Sequence, residues 1–217
     1  MGGIDYRRLY KLQDEVLEVV FETERVFYLT GGTCLNRFYH EKRYSDDLDF
    51  FTHDDRDFLR ATKTIKSALR QKFEVTEEIN VKDFIRLLID GRLQVDFVND
   101  RTPRYGQPVM TDKGYLIDTV ENILSNKLTA VMGRDNPKDM FDIFLINKFY
   151  DFDFCAILES AHEKAGFSDD DLITRLKGFP VSWIEKISII DEGFLDGFEA
   201  GIVSVIAQIE HCQNQKA

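Results

Sequence analysis

The chain has 217 residues, 43% of them hydrophobic, with 39 acidic against 28 basic side chains and a formal charge of −11. Such a length buries a core as one large domain or two small ones, and no stretch approaches the ~18 uninterrupted apolar residues of a membrane span. The acidic balance repels nucleic acid at long range unless basic side chains gather locally. The N-terminus carries no apolar segment of the signal-peptide kind, so a cytoplasmic chain with no membrane partner is expected.

Leu9, Leu12, Val16 and Val20 recur at helical spacing and predict a helix from Asp5 to about Thr23. A short β-branched and aromatic strand follows at Val26–Leu29, ended by a turn at Gly31 and Gly32 where backbone can approach a ligand closely. Thr33 then opens a short helix through Cys34, Leu35, Phe38 and Tyr39, whose free N–H groups face the same point as the glycines. A strand around Asp47–Phe51 comes next, and a helix over residues 57–72 carries Phe58, Ala61, Ile65 and Leu69. Three strands are predicted after it, at Phe73–Ile79, Phe84–Ile89 and Arg92–Val98, the last two joined by an Asp90-Gly91 hairpin turn.

The loop-like segment Arg101–Pro108, with two prolines, marks the boundary between a core of residues 1–110 and a part of residues 111–217 that reads as helices to its end. Asp118 with Glu121 makes a capping-box-like start there, followed by a stripe of Val120, Ile123, Leu124, Leu128 and Val131. Asn136-Pro137 opens a further helix through Phe141, Phe144 and Leu145. Ser168 with Asp171 opens another, and Phe198, Ile202, Val205 and Ile209 mark a final amphipathic one. Cys34, Cys155 and Cys212 are widely spaced, with no CxxC and no paired histidines, which predicts reduced structural thiols. His40, His53, His162 and His211 form no ligand set.

Chemistry gathers around the acidic residues. In the strand at Asp47–Phe51, Asp47 and Asp49 point to one face while Leu48 and Phe50 point to the other. On the strand Arg92–Val98, Asp96 faces away from Leu93, Val95 and Phe97, so a third carboxylate reaches the first two from a neighbouring strand. Like charges concentrated in apolar strands are costly unless a cation compensates them. Asp47, Asp49 and Asp96 therefore read as a site for one or two Mg²⁺ ions, beside a phosphate cradle at Gly31 and Gly32. Taken alone, that glycine pair is more often an ordinary turn.

Lys127 falls inside an apolar helix stripe, where a lysine snorkels, pairs with a carboxylate, or extends its ammonium to nucleotide phosphates. Asp139 and Asp142 lie on a helix that is apolar nearly all round, where pairing with Arg134 or Lys138 fixes the helix junction. The basic residues Arg7, Arg8 and Lys11, then Arg37, Lys42 and Arg43, then Arg101 and Arg104 are either nucleic-acid contacts or solvated faces.

With these motifs assembled, the chain resembles the DNA polymerase β-type nucleotidyltransferase superfamily. More narrowly, Leu29 to Leu35, Arg43 to Phe51, Lys127 to Ala130 with Arg134, and Lys138 to Asp142 resemble the AbiEii/AbiGii toxin family, the likeness running from about Val26 to Leu145. The resemblance implies that Gly31, Gly32 and Thr33 contact the triphosphate of an NTP and that Asp47 and Asp49 hold Mg²⁺. It implies that Asp96 completes the metal set and helps to activate the attacking hydroxyl, that Lys127 reaches the phosphates, and that Asp142 lies in or near the site. The expected fold is α+β: a small mixed β-sheet flanked by helices forms the nucleotidyltransferase core, and the helical C-terminal part closes one side of the cleft. The expected reaction is transfer of NMP from an NTP to tRNA or another RNA by a toxin of the toxin-antitoxin or abortive-infection type, with a cognate antitoxin as partner. A small-molecule nucleotidyltransferase of the antibiotic-modifying kind and a non-catalytic nucleotide-binding module are the alternatives.

Overall fold

The computed structural model describes residues 4–53 and 56–216, which divide into two compact units. The first holds the chain through Cys34 with Ser45–Arg101 and Pro108–Asp118; the second holds Leu35–Tyr44, Thr102–Gln107 and the chain from Thr119 onward. The architecture is α+β, as the sequence predicts.

The first unit opens with α1 (Tyr6–Thr23), whose N-cap Asp5 accepts a hydrogen bond from the amide of Arg8. Among the described residues its sheet has seven strands: β1 (Tyr28–Thr30), β2 (Asp47–His53), β3 (Val75–Val81), β4 (Phe84–Ile89), β5 (Leu93–Asp100), β6 (Val109–Met110) and β7 (Leu116–Ile117). Their order is β3-β4-β5-β2-β1-β7-β6, with β2 parallel to β5 and antiparallel to β1. The β4–β5 hairpin turns at Asp90 and Gly91, both at positive φ, as the Asp-Gly signal predicts.

The helix α1 packs on β5 and on α3 (Phe58–Leu69), and its Phe21 meets Phe50 of β2 edge-on at 5.7 Å. Phe27, Phe50, Phe58 and Phe97 are fully or almost fully buried, and Phe27 packs edge-on to Phe97 at 5.2 Å. Burying each such ring contributes about 1.5–3 kcal/mol as an upper estimate. From α1 the buried Gln13 donates to the carbonyl of Ser45 at 3.0 Å, and the Tyr10 hydroxyl accepts from the Ser45 amide at 3.2 Å. These two bonds fix the chain as it enters β2.

Three local expectations are corrected here. The glycines do not form a turn before a helix at Thr33: α2 (Gly31–Phe38) begins at Gly31 itself, directly after β1. The strands β6 and β7 occupy a stretch read as loop and helix, because two-residue strands carry no readable period. Asp118 does not cap the next helix; it is fully buried and accepts the Thr30 hydroxyl at 2.6 Å, while Thr119 accepts the Asn122 amide as N-cap.

The second unit is helical: α4 (Val120–Gly133), α5 (Pro137–Phe149), α6 (Phe154–Lys164), α7 (Asp169–Lys177) and α8 (Phe198–Lys216), with 3-10 turns at Val181–Lys186 and Glu192–Leu195. The Asn136 cap with Pro137 in the first turn, and the reciprocal Ser168–Asp171 capping box, stand where the sequence places them. The run Met140–Ile146 of α5 is buried on every side. Gly201 of α8 lets that helix close on α5, since a Cβ there would run into the Phe144 ring. The reading of all cysteines as reduced thiols is overturned by a disulfide between Cys155 and Cys212. Packing of α6 on α8 brings their Cα atoms to 5.4 Å across 57 residues of sequence, a pairing no local spacing reveals. Cys34 is free and buried, and burial, with the Asp118 carboxylate, raises its thiol pKa well above the usual value. No described helix is long and apolar enough to cross a membrane.

Candidate active site

On β2, Asp47 and Asp49 occupy alternate positions of one face and are partly exposed, while Leu48 and Phe50 behind them are fully buried. The parallel register of β2 with β5 sets Asp49 opposite Asp96 and Asp47 opposite Gln94. The antiparallel registers set Arg86 of β4 opposite Asp96 and Thr30 of β1 opposite Asp49. Arg86, Asp96, Asp49 and Thr30 thus form one row across four adjacent strands, assembled by register rather than by nearness in sequence.

Part of that charge is already matched within the row. Arg86 donates from Nε to Oδ1 of Asp96 at 2.8 Å and from Nη2 to Oδ2 at 2.7 Å, the two-bond fork that a guanidinium makes best. Gln94 adds a bond from Nε2 to Oδ2 at 3.1 Å. The hydrogen bonds from Arg86 to Asp96, against the effect of burial, raise the Arg86 pKa, and the charges of Asp96, Glu78 and Asp49 add to the rise. The three carboxylates are therefore in register, but Asp96 comes with its own cation. Among the described residues, no group of three or more His, Cys, Asp or Glu side chains is arranged to hold a metal ion.

Gly31 lies against this row. Its φ of 71° is one that a side chain disfavours, and a Cβ on it would sit 2.5 Å from Oδ2 of Asp49. Glycine is thus required twice, once by conformation and once by space. Thr33 is fully buried, and its hydroxyl donates to the carbonyl of Asp47, tying the start of α2 to the start of β2. The first turn of α2 and the Asp47–Asp49 face are held together by these contacts. Two hard oxygen donors on one strand face, beside backbone that admits no Cβ, fit a divalent cation that shares its shell with phosphate oxygens.

The second unit carries a buried ion cluster. Arg43, 1% exposed, donates from Nε to Oδ1 of Asp142 at 2.8 Å and from Nη2 to Oδ2 at 2.7 Å, with Nη1 on the Tyr44 carbonyl at 2.9 Å. Asn36 accepts from the Arg43 amide and donates to Asp142. Lys127 Nζ lies 2.7 Å from Oδ1 of Asp139 and 2.7 Å from Oδ2 of Asp142, and the largely exposed Arg134 also closes on Asp139. Burial alone would lower the Lys127 pKa and raise those of both acids. The opposite charges outweigh it, so Lys127 is shifted up and Asp139 and Asp142 are shifted down.

Of the pairings open to Asp139 and Asp142, Arg134 takes Asp139 as expected, whereas Lys138 gives way to Lys127 and Arg43. Arg43 is thus no solvated face. Its signal in the sequence was charge arithmetic: two acids on an all-apolar helix need buried cations. Arg86 also escaped the sequence reading, though an arginine inside the apolar strand Phe84–Ile89 was the clue to it.

Beyond these geometries, the sequence profile described as the nucleotidyl transferase AbiEii toxin of a type IV toxin-antitoxin system matches residues 17–196. The chain belongs to the AbiEii toxin family. It is accordingly a nucleotidyltransferase, and the motif residues named above fall inside the matched span. An uncharacterized protein of Aquifex aeolicus is 30% identical to this AbiEii member over 173 residues, covering 78% of this chain and 82% of that one. Among solved structures, MenT4, a nucleotidyltransferase toxin from Mycobacterium tuberculosis, aligns with TM-score 0.62 at 16% identity over 95% of this chain and 84% of its own. JHP933 from Helicobacter pylori aligns with TM-score 0.58 at 18% identity over 99% and 94%. At such identities these structures speak to the shared fold alone.

Proposed function

We propose that this AbiEii-family chain transfers a nucleoside monophosphate from an NTP to a hydroxyl of RNA, tRNA first among candidates, in a Mg²⁺-dependent reaction restrained by a cognate antitoxin. The observation that carries the reading is the Asp47–Asp49 pair on one strand face against Gly31, where no Cβ fits. Asp47 and Asp49 would hold the ion, which when bound supplies Lewis-acid stabilisation of the attacking and leaving oxygens. Gly31, Gly32 and Thr33 stand at the start of α2, the helix end whose dipole favours a triphosphate.

Asp96 accepts both prongs of Arg86 and a further bond from Gln94, and the acceptor's proton leaves to another group or to solvent. Lys127 has three N–H donors and two carboxylate partners, which leaves capacity for one further acceptor; the family resemblance favours a nucleotide phosphate in that role, with Asp142 holding the ammonium. The surface charge of −11 favours a second acceptor class, a cationic small molecule such as an aminoglycoside. Incubation with α-labelled NTP, Mg²⁺ and either total tRNA or an aminoglycoside panel separates the two. Label on RNA is expected, and label on the small molecule alone would overturn the RNA assignment.

A further inference from the structure

The row Arg86, Asp96, Asp49 raises a question that the metal reading leaves open: why a carboxylate in register with the metal pair should carry an arginine. We propose that Arg86 is a positioning residue that withholds Asp96 from the cation, leaving metal binding to Asp47 and Asp49 and keeping the nucleotide-free protein's divalent affinity low. The proposal rests on the reading of Asp47 and Asp49 as the metal pair.

The grip engages both oxygens of Asp96, at 2.8 and 2.7 Å, and Gln94 takes the second lone pair of Oδ2, so a cation finds only one lone pair left, on Oδ1, beside the guanidinium charge. Arg86 is itself held. Its guanidinium lies over the Phe84 ring at 5.4 Å, two positions back on the same face of β4, and cross-strand register fixes its backbone opposite Asp96. Asp96 is 6% exposed, so without Arg86 a buried carboxylate would face Asp49 in the next strand with no cation of its own. A divalent ion is the species that would relieve that repulsion.

The consequence is a gain, which damage to the fold cannot imitate: removing Arg86 should tighten metal binding, and it should do so through Asp96. The test is Mn²⁺ binding to the full nucleotide-free chain, read by the electron paramagnetic resonance of free Mn²⁺. It compares wild type, Arg86→Gln, Asp96→Asn, the double variant, and Asp47→Asn in the wild-type and Arg86→Gln backgrounds. We expect Arg86→Gln to bind about ten-fold more tightly, the scale on which outer-shell partners tune metal sites. Asp96→Asn should match wild type, the double variant should lose the gain, and Asp47→Asn should weaken binding in both backgrounds.

Unchanged or weaker binding by Arg86→Gln overturns the proposal, as does a gain that survives Asp96→Asn. If Asp47→Asn still weakens binding in those cases, the metal reading stands without it. Indifference to Asp47→Asn in every background removes both. Should Arg86→Gln not fold, Arg86→Lys decides: it keeps the charge but loses the fork, and must also bind more tightly than wild type.

Discussion

Gly31→Ala puts the geometry of the site under direct strain. Alanine at a φ of 71° costs about 1–2 kcal/mol by conformation alone. Its Cβ would also stand 2.5 Å from Oδ2 and 3.4 Å from Cγ of Asp49, so the carboxylate must move by roughly 1 Å to restore ordinary contact. The Asp49 backbone cannot follow, because β2 is paired on both sides at that residue. We expect a stability loss of about 1–3 kcal/mol and, since a misplacement of that size in a reacting site costs about a hundred-fold in rate, a loss of transfer well beyond the loss of folded protein. Urea denaturation followed by far-ultraviolet circular dichroism gives the first quantity, and label transfer at matched folded concentration gives the second. Asp49→Ala supplies the control: in that background the steric part vanishes and Gly31→Ala should cost only the conformational part. Stability within ~0.5 kcal/mol of wild type together with undiminished transfer would refute the close approach of Gly31 to Asp49.

The ion cluster and the disulfide yield further expectations. Asp142→Ala strips the two-bond partner from Arg43 and one of two partners from Lys127, both buried, and should cost about 3–5 kcal/mol in denaturant unfolding; a loss below ~1 kcal/mol would mean that the cluster is not paired as described. The shifts also set a pH window. Asp139 and Asp142, held below their ordinary pKa, contribute stability that is present above the unfolded carboxylate value near ~4 and lost as pH falls through their folded values. Lys127, held above its ordinary pKa, contributes stability that is complete below ~10.4 and lost as pH rises through its folded value. The gap in melting temperature between wild type and Asp142→Asn should therefore be flat from about pH 5 to 9 and shrink below ~4; a gap closing between pH 8 and 5 would contradict these directions. Cys155→Ser, or reduction, should lower stability by up to about 4 kcal/mol, the loop-closure value for a 57-residue separation, and no change on reduction would argue against the bridge.

The residues differ in how openly they declared these structures. Strand β4 was readable to the residue, and the Asp90-Gly91 turn and both capping signals at Asn136 and Ser168 were local chemistry that tertiary contacts had no reason to override. Alternation placed Asp47 and Asp49 on one face, and alternation on β5 turned Asp96 the same way. What stayed hidden depends on partners distant in sequence. Asp118 looked like a helix cap because its real partner, Thr30, is 88 residues away. The grip of Arg86 on Asp96 needed the β4–β5 register, and the Arg43–Asp142 pair spans 99 residues. Gly31 was legible as permissive backbone, but the clash that makes it obligatory exists only once β1 and β2 are paired.

The central claim is that the Asp47–Asp49 face is the centre of nucleotidyl transfer. Its most direct test is pyrophosphate release from each of the four NTPs with Mg²⁺ and total tRNA, comparing wild type with Asp47→Asn and Asp49→Asn after each variant is shown to fold. Release by wild type that depends on tRNA and is abolished by either substitution is the predicted result; release that persists unchanged in both variants would place the chemistry elsewhere.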